Sequence, residues 1–351
     1  MEKLVEKINS KKIEKAKKAF DPKNFGFKSY GNGWKRKIDG IGEVIIAPIT
    51  WEHAQFPNQP LGPNEEGGVL DLVSKMQQEI WGMPPSDAVP GNVLTIIKNT
   101  GGSILVAYEL AKGFTKDGAL GFSLAFGGRS GKLVSHMLGV RERVRSTADL
   151  GWFIKIIQAH EALKSGHTSI EWTFDPMRGA NARLNIEKLG GKIEDFTIDK
   201  YGKVSSDLYG NVPTDRFTVE WDLLSESVQQ RVKDIYTGKT KGLSLSDVKK
   251  GLIINAETNP NAALSKEVFF EIPGDIDNLM RENEKKALSL RRGMRKTLSA
   301  LLNKHEGFVP ENVIDPALSS VNETTGEFIV DGFATGVENG TRRNFYRLRR
   351  K

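Results

Sequence analysis

Three arginines at alternate positions, Arg141, Arg143 and Arg145, lie between an apolar run that ends at Val140 and a helical pattern that begins near Ala148. A strand that stops at a helix N-terminus leaves backbone N–H groups without partners and presents the positive end of the helix dipole, so an anion is welcome there. A pyrophosphate would sit at such a junction, with arginine forks as further donors. Ser146 and Asp149 are spaced to form a capping box at the helix start. An ordinary capped helix preceded by a solvated basic turn fits the same residues equally well. Other chemistries are narrower. The chain has no cysteine, which removes a disulfide framework, cysteine-ligated zinc and a thiol nucleophile. Its five histidines, His53, His136, His160, His167 and His305, have no metal-ligand spacing with one another or with carboxylates, and no metal is expected. Gly101-Gly102 and Gly127-Gly128 lack the strand-to-helix context of a nucleotide loop and read as hairpin turns.

The elements around the arginine junction follow from periodicity. Val44–Pro48 is a short apolar strand, and Val69, Leu72, Val73, Met76 and Ile80 recur at helical spacing in a helix expected to begin near Asn64. Pro84, Pro85 and Pro90 end that helix, and Val93–Lys98 forms a second. Three strands follow, Ser103–Leu110, Gly118–Gly127 and Lys132–Val140, separated by turn residues as antiparallel hairpins require. Ala148 to Lys164 is an amphipathic helix with Leu150, Phe153, Ile154 and Ile157 on one stripe. Ile170–Phe174 is a buried strand, Arg178–Leu189 a short helix closed by Gly190-Gly191, and Phe217–Trp221 an alternating strand. This order predicts a three-layer α/β (α+β) domain with a mixed, mostly antiparallel sheet and helices on both faces.

The flanking regions differ in texture. Residues 1–41 form a lysine-rich helix followed by an irregular arm, 42–225 the main domain, 226–265 a polar linker region, and 266–351 a C-terminal α/β subdomain with a strand at Val268–Ile272, a long basic helix or helical pair from Asp275 to Lys304, and a closing hairpin. The formal charge of +7 is concentrated at the two ends, Met1–Lys18 and Arg342–Lys351, and reads as solvated tails. A nucleic-acid binder would carry basic residues interleaved with aromatics or a known reading module, and neither is visible. No apolar stretch approaches the roughly 18 residues of a membrane span, and none follows the basic N-terminus as a signal would, so the expectation is a cytoplasmic protein that does not enter a membrane.

Ser135-His136-Met137-Leu138-Gly139-Val140 before the arginine turn, with Trp172-Thr173-Phe174-Asp175-Pro176 on the next strand, resembles the GNAT superfamily of acyltransferases. More narrowly, Ile80-Trp81-Gly82, Asn181-Ala182-Arg183-Leu184-Asn185, Lys188-Leu189-Gly190, Pro213-Thr214-Asp215-Arg216, Val219-Glu220-Trp221 and Glu271-Ile272-Pro273 are similar to a branch of predicted acetyltransferases that includes amino-acid N-succinyltransferases. The resemblance covers Val44 to Leu348. It implies the GNAT fold, an acyl-CoA co-substrate such as acetyl-CoA or succinyl-CoA, and transfer to an amine. By the resemblance, the backbone of Leu138, Gly139 and Val140 pairs with the pantetheine arm, and the turn Arg145-Ser146-Thr147-Ala148-Asp149-Leu150-Gly151 holds the pyrophosphate. Of the family's loop glycines only Gly151 is kept, and Asp149 stands where a glycine would let phosphate approach the backbone. A tyrosine that protonates the leaving thiolate in many members is replaced by Ile186. Direct transfer to a neutral amine depends chiefly on positioning and oxyanion stabilisation, with a dedicated acid as an aid.

Within that frame His136 is the first candidate for a general base, and equally a core histidine satisfying a hydrogen bond. Glu171 and Asp175 are alternative bases or anchors for the acceptor amine, and Asp175-Pro176 also reads as a plain strand-ending turn. Asn181 and Asn185 are candidates for the cofactor amides or for helix caps. Arg183 and Arg216 would recognise a substrate carboxylate or form surface ion pairs. The leading expectation is an N-acyltransferase working by direct attack in a ternary complex, with a small, carboxylate-bearing amine as acceptor; without cysteine or a Ser-His-Asp arrangement no covalent intermediate is expected. The rival is a GNAT-fold protein that binds or scaffolds without catalysis. The C-terminal part would cover the acceptor cleft or form a homodimer contact.

Overall fold

The segment from Asp21 to Gly40, expected to be an irregular arm, is where the first sheet begins. The computed structural model describes residues 2–49, 68–145, 149–202, 213–239, 242–256, 265–302 and 328–351. In it α1 (Glu2–Ala19) leads through a 3-10 turn at Pro22–Phe25 to β1 (Lys28–Tyr30), β2 (Gly33–Ile38) and β3 (Gly42–Pro48). Asp21 caps the turn by accepting from the Lys23 backbone N–H. Basic side chains hid β1 and β2 from the apolar pattern, while β3 is the strand expected at Val44–Pro48. Arg36 lays its guanidinium 4.1 Å from the centre of the Phe153 ring, a cation–π stack in which a charged residue serves as an apolar one.

The described residues divide into two compact units, 2–172 with 222–229, and 173–202 with 213–221 and the described part of 230–351. The first continues through α2 (Val69–Trp81), α3 (Gly91–Asn99), β4 (Ser103–Glu109), β5 (Ala119–Gly127), β6 (Lys132–Val140), the single turn α4 (Glu142–Arg145), α5 (Leu150–Lys164) and β7 (Ser169–Phe174), whose last two residues belong to the second unit. The strands lie in sequence order, antiparallel up to β6 and parallel between β6 and β7. A parallel neighbour needs a crossover, and α5 supplies it. On one face Leu72, Val73 and Met76 of α2 and Leu94 and Ile97 of α3 pack against Ile104, Val106, Phe122 and Leu124. On the other, α5 lies across β4, β5 and β6.

Helix α5 is buried nearly all round, including Trp152, Phe153, Ile156 and Ile157, where the sequence predicted a single stripe. The reason is the N-terminal segment, which covers the helix's outer side. Phe25 meets Trp152 and Phe27 meets Phe153, each edge to face at 5.6 Å, and Trp34 meets His160 at 5.3 Å. A helix apolar on all sides is stable only when covered on all sides.

The second unit opens with α6 (Gly179–Ala182), which runs into a π-helical turn at Arg183–Lys188, followed by β8 (Lys192–Thr197) and β9 (Arg216–Asp222). Next come α7 (Glu226–Tyr236), which starts in the first unit, α8 (Leu245–Val248), β10 (Leu252–Ile254) and β11 (Glu267–Ile272). The expected long helix is two, α9 (Ile276–Glu282), capped by Asp275, and α10 (Glu284–Leu302); β12 (Phe328–Glu338) and β13 (Thr341–Arg350) close the chain as a hairpin. The strand order is β9-β8-β12-β13-β11-β10, with only β10 and β11 parallel. The C-terminal arginines, expected as a solvated tail, lie in β13 and are paired: Arg343 with Glu271 and Glu338, Arg347 and Arg349 with Asp331.

Together the units give the expected α/β composition, with a mixed, mostly antiparallel sheet, helices on both faces in the first unit, and a further α/β part at the C-terminal side. Among the described residues no helix is long and apolar enough to cross a membrane, and no cluster of His and carboxylate residues is arranged to hold a metal.

Candidate functional site

Strand β6 has nine residues, yet it pairs with β7 over three positions only, Lys132, Leu133 and Val134 against Ser169, Ile170 and Glu171. Past Val134 and Glu171 the two strands part, while β6 stays paired with β5 as far as Val140 opposite Gly121. A bulge at His136 helps: Leu124 pairs with Met137 and Ala125 with Ser135, so His136 is the extra residue and bends the strand. The result is a notch with β6 on one side and β7 on the other. Leu138, Gly139 and Val140, the residues expected to pair with a pantetheine arm, lie on the β6 edge past the last β7 pair.

Gly139 owes its identity to close packing. A Cβ there would come 2.9 Å from both Ile80 Cδ1 and Trp81 Cη2, so the end of α2 rests directly on the strand backbone.

At the far end of β6 the chain turns through α4 into α5. Ser146, Thr147 and Ala148 lie outside the described residues. Asp149 is the residue that precedes α5, with φ 51° and ψ 25°, and its side chain does not cap the helix; Leu150 and Gly151 form the first turn, which contains no acidic residue. The left-handed backbone at Asp149 is one that glycine adopts freely and that aspartate tolerates better than most residues. The capping box expected between Ser146 and Asp149 falls partly outside the described residues.

The three arginines hold the turn to the protein. Arg141 is buried; its Nε and Nη2 donate to Glu79 Oε2 at 3.1 and 2.7 Å, and its Nη1 donates to the carbonyls of Lys116 and Ala119. Arg143 donates to the carbonyls of Asp117 and Ala119, and Arg145 Nε to that of Val140 at 3.3 Å. Arg141 thus ties the start of β5 to α2, while Arg143 and Arg145 bind back to nearby carbonyls, an arrangement that sequence spacing could not distinguish from phosphate binding.

His136 stands exposed on the face opposite α5, edge to face with Phe126 at 5.7 Å, and loss of hydration in that setting holds its imidazole below the usual pKa. Glu171 shares that face of the sheet through the Val134 pair, and its carboxylate lies 3.4 Å from Lys132 Nζ.

The charged group at the vertex of the notch is one that the pattern reading passed over. Lys155 of α5 is buried, and its Nζ donates to Ser135 Oγ at 2.9 Å and to Gln158 Oε1 at 3.0 Å while lying 3.8 Å from the centre of the Trp172 ring. Ser135 and Trp172 are the first residues past the last β6–β7 pair, one on each strand. Burial pushes the lysine's pKa down to about 7, and no carboxylate among the described residues offsets that effect. The signal was present in the sequence: a lone lysine inside Trp152-Phe153-Ile154-Lys155-Ile156-Ile157 has no solvent-facing side to occupy. Beside it, Ser123 Oγ and Gln158 Nε2 are buried without a hydrogen-bond partner among the described residues. A separate cleft at the other end of α5, lined by Ile49, Leu94, Ile104, Glu161 and Ser165, takes no part in the notch.

The remaining sequence candidates belong to the second unit. Asp175 is fully buried and grips Arg291 through two hydrogen bonds, 3.1 and 2.8 Å; burial pushes its pKa up, but the Arg291 guanidinium and the Met177 N–H outweigh this and hold it below the usual carboxylate range. Asp215 and Arg295 form a second buried fork, with bonds of 2.7 to 3.1 Å. Asn181 is exposed on α6, and Asn185 is buried in the π-helical turn. Arg183 pairs with Glu187 one turn on at 3.4 Å, while Arg216 is buried, donates to the Asp215 carbonyl and lies over the Tyr201 ring. Asp175 thus serves as an anchor for α10, a role its Asp-Pro context did not reveal.

No family model and no curated protein matches the chain. Among solved structures it is similar to an IAA acetyltransferase from Bacillus cereus ATCC 14579, at 15% identity over 51% of this chain and 99% of that one, with a TM-score of 0.33. It is also similar to an aminoglycoside 6'-acetyltransferase type Ii, at 17% identity over 52% and 99%, with a TM-score of 0.38. A third is an N-acetyltransferase from Staphylococcus aureus Mu50, at 13% identity over 52% and 99%, with a TM-score of 0.37.

Proposed function

We propose that this protein is an acyl-CoA-dependent N-acyltransferase of the GNAT type, moving an acetyl or succinyl group to the amine of a small, carboxylate-bearing acceptor by direct attack in a ternary complex. The observation that supports it best is the parting of β6 and β7 after Val134 and Glu171, with α5 beginning shortly after β6 ends. Backbone groups on the β6 edge past that point have β5 on one side and, among the described residues, no strand on the other, so an extended amide-bearing arm has hydrogen bonds to make there. The first turn of α5 offers N–H groups and dipole to a pyrophosphate.

In this reading Leu138, Gly139 and Val140 bind the pantetheine, and the segment from Arg145 to Gly151 binds the diphosphate through backbone N–H groups, since the Arg141 and Arg143 forks are held by protein acceptors. His136, exposed and with a lowered pKa, is neutral at physiological pH and is the group best able to take a proton from an incoming ammonium.

The test is titration calorimetry with acetyl-CoA and succinyl-CoA, followed by thiol release against a panel of amines. Micromolar binding of either donor and amine-dependent release are expected. Absence of binding at millimolar donor would leave the second reading, a GNAT-fold binding protein without catalysis, which the protein-bound arginines at the turn favour.

A further inference from the structure

The buried cation at the notch serves neither donor binding nor deprotonation of the acceptor. Lys155 reaches the vertex from the α5 side and touches the first residue past the last β6–β7 pair on each strand, Ser135 on β6 and Trp172 on β7. The groups that face it are neutral: Ser135 from β6, Gln158 from its own helix and the Trp172 ring from β7. Arg141, another buried cation of this unit, has Glu79 as counter-charge. Lys155 has no carboxylate partner among the described residues, and His136, the next residue along β6 from Ser135, stands on the opposite face. An uncompensated buried charge is costly to a folded protein unless an anion joins it during function.

Transfer from a thioester generates such an anion. The amine nitrogen bonds to the carbonyl carbon, the C–S bond breaks, its electron pair goes to sulfur, and one proton must travel from the amine to the thiolate. Resting on the acyltransferase reading, we propose that Lys155 is a positioning residue for this step, its ammonium stabilising the departing thiolate and supplying the proton through the Ser135 hydroxyl. Once His136 has taken the ammonium's first proton, the second proton lost by the amine restores the lysine, so the transfer from the neutral amine itself gains and loses none. A lysine whose pKa is pushed down to about 7 gives up a proton to a thiolate readily, because an ordinary thiol holds its proton up to roughly pH 8.5. The carbonyl oxygen remains the charge of the β6 backbone N–H groups.

The experiment uses the full chain in three forms, wild type, Lys155→Met and Ser135→Ala, with donor binding measured first. If wild type binds no acyl-CoA, the acyltransferase reading itself has failed. If it binds, kcat is compared for the CoA thioester and for an aryl thioester of the same acyl group, whose leaving group needs no proton. With the CoA donor, Lys155→Met should lower kcat by about 10²-fold or more at unchanged donor Kd, and Ser135→Ala should lower it in the same direction. With the aryl donor the loss should largely vanish. A loss equal for both donors means that Lys155 only props the notch open, and overturns the proposal. Should neither variant fold, wild type decides: its kcat should fall as pH rises past the lysine's pKa with the CoA donor and not with the aryl donor, and identical profiles would rule the role out. Bound free CoA gives an independent reading. Its thiolate absorbance should appear at lower pH in wild type than in Lys155→Met, and coincident titrations would count against the assignment.

Discussion

Two buried charges, Lys155 and Asp175, respond to burial in opposite ways. Asp175 has a guanidinium on it and a pKa below that of the unfolded chain. The unfolded chain therefore binds the proton first as pH drops, and the stability contributed by the Asp175–Arg291 fork is complete above the ordinary carboxylate range and is lost as pH falls through the folded-state value. Arg291→Met, which leaves the buried carboxylate only the Met177 N–H and Arg178 at 3.8 Å, should cost about 3–5 kcal/mol in urea unfolding at neutral pH, while the double change Asp175→Asn with Arg291→Met should recover much of it. Lys155 has no such partner and a folded pKa of about 7 against roughly 10.4 unfolded. Between those values the unfolded chain holds more protons, so wild-type stability relative to Lys155→Met should rise with pH by up to ~1.4 kcal/mol per unit. Parallel stability curves for the two proteins over that window would mean that the ammonium is hydrated. The apolar run around Lys155 announces its burial; no rule of spacing announces that Ser135 and Trp172 would be its neighbours, since they come from strands 20 positions before it and 17 after it.

At the level of elements, the sequence was legible where apolar residues were dense and illegible where they were sparse or interleaved with charge. Strands β4, β5 and β6 match their expected ranges closely because each is a dense apolar run bounded by turn residues. Strand β8 was missed because its buried residues, Ile193 and Phe196, are three apart; a register shift between Ile193 and Asp195 returns both to the same side. Helix α7 went unseen because Val228, Val232 and Gln229 are its buried residues in an otherwise polar run. Two substitutions test elements at the notch. Gly139→Ala inserts a methyl group where 2.9 Å is available against Ile80 and Trp81, and should destabilise by about 1–3 kcal/mol on thermal unfolding by prising α2 from β6. Asp149→Gly accepts the same left-handed backbone and removes a carboxylate from the start of α5, so acyl-CoA should bind several-fold more tightly with little change in melting temperature. Weaker binding by that variant would place the diphosphate elsewhere.

For the whole molecule, the order of elements indicated an α/β protein, but the lysine-rich N-terminal segment was misplaced as an appendage. Phe25 and Phe27 are buried against α5. Removing residues 1–27 should therefore uncover Trp152 and Phe153 and lower the melting temperature by well over the few degrees expected from loss of a loose tail. What the sequence left unread at this scale is the pairing of remote segments, such as Arg295 with Asp215 across 80 positions, because recognition between distant side chains has no period. The one-sided strand leaves a mark that needs no turnover to observe. Amides of β6 beyond Val134 that face β7 have no strand among the described residues to shield them, whereas those facing β5 are locked in the ladder. Deuterium should thus enter the Ser135–Val140 peptide in two phases, half its sites fast and half slow, and an occupant lying along the open edge should merge the two into one.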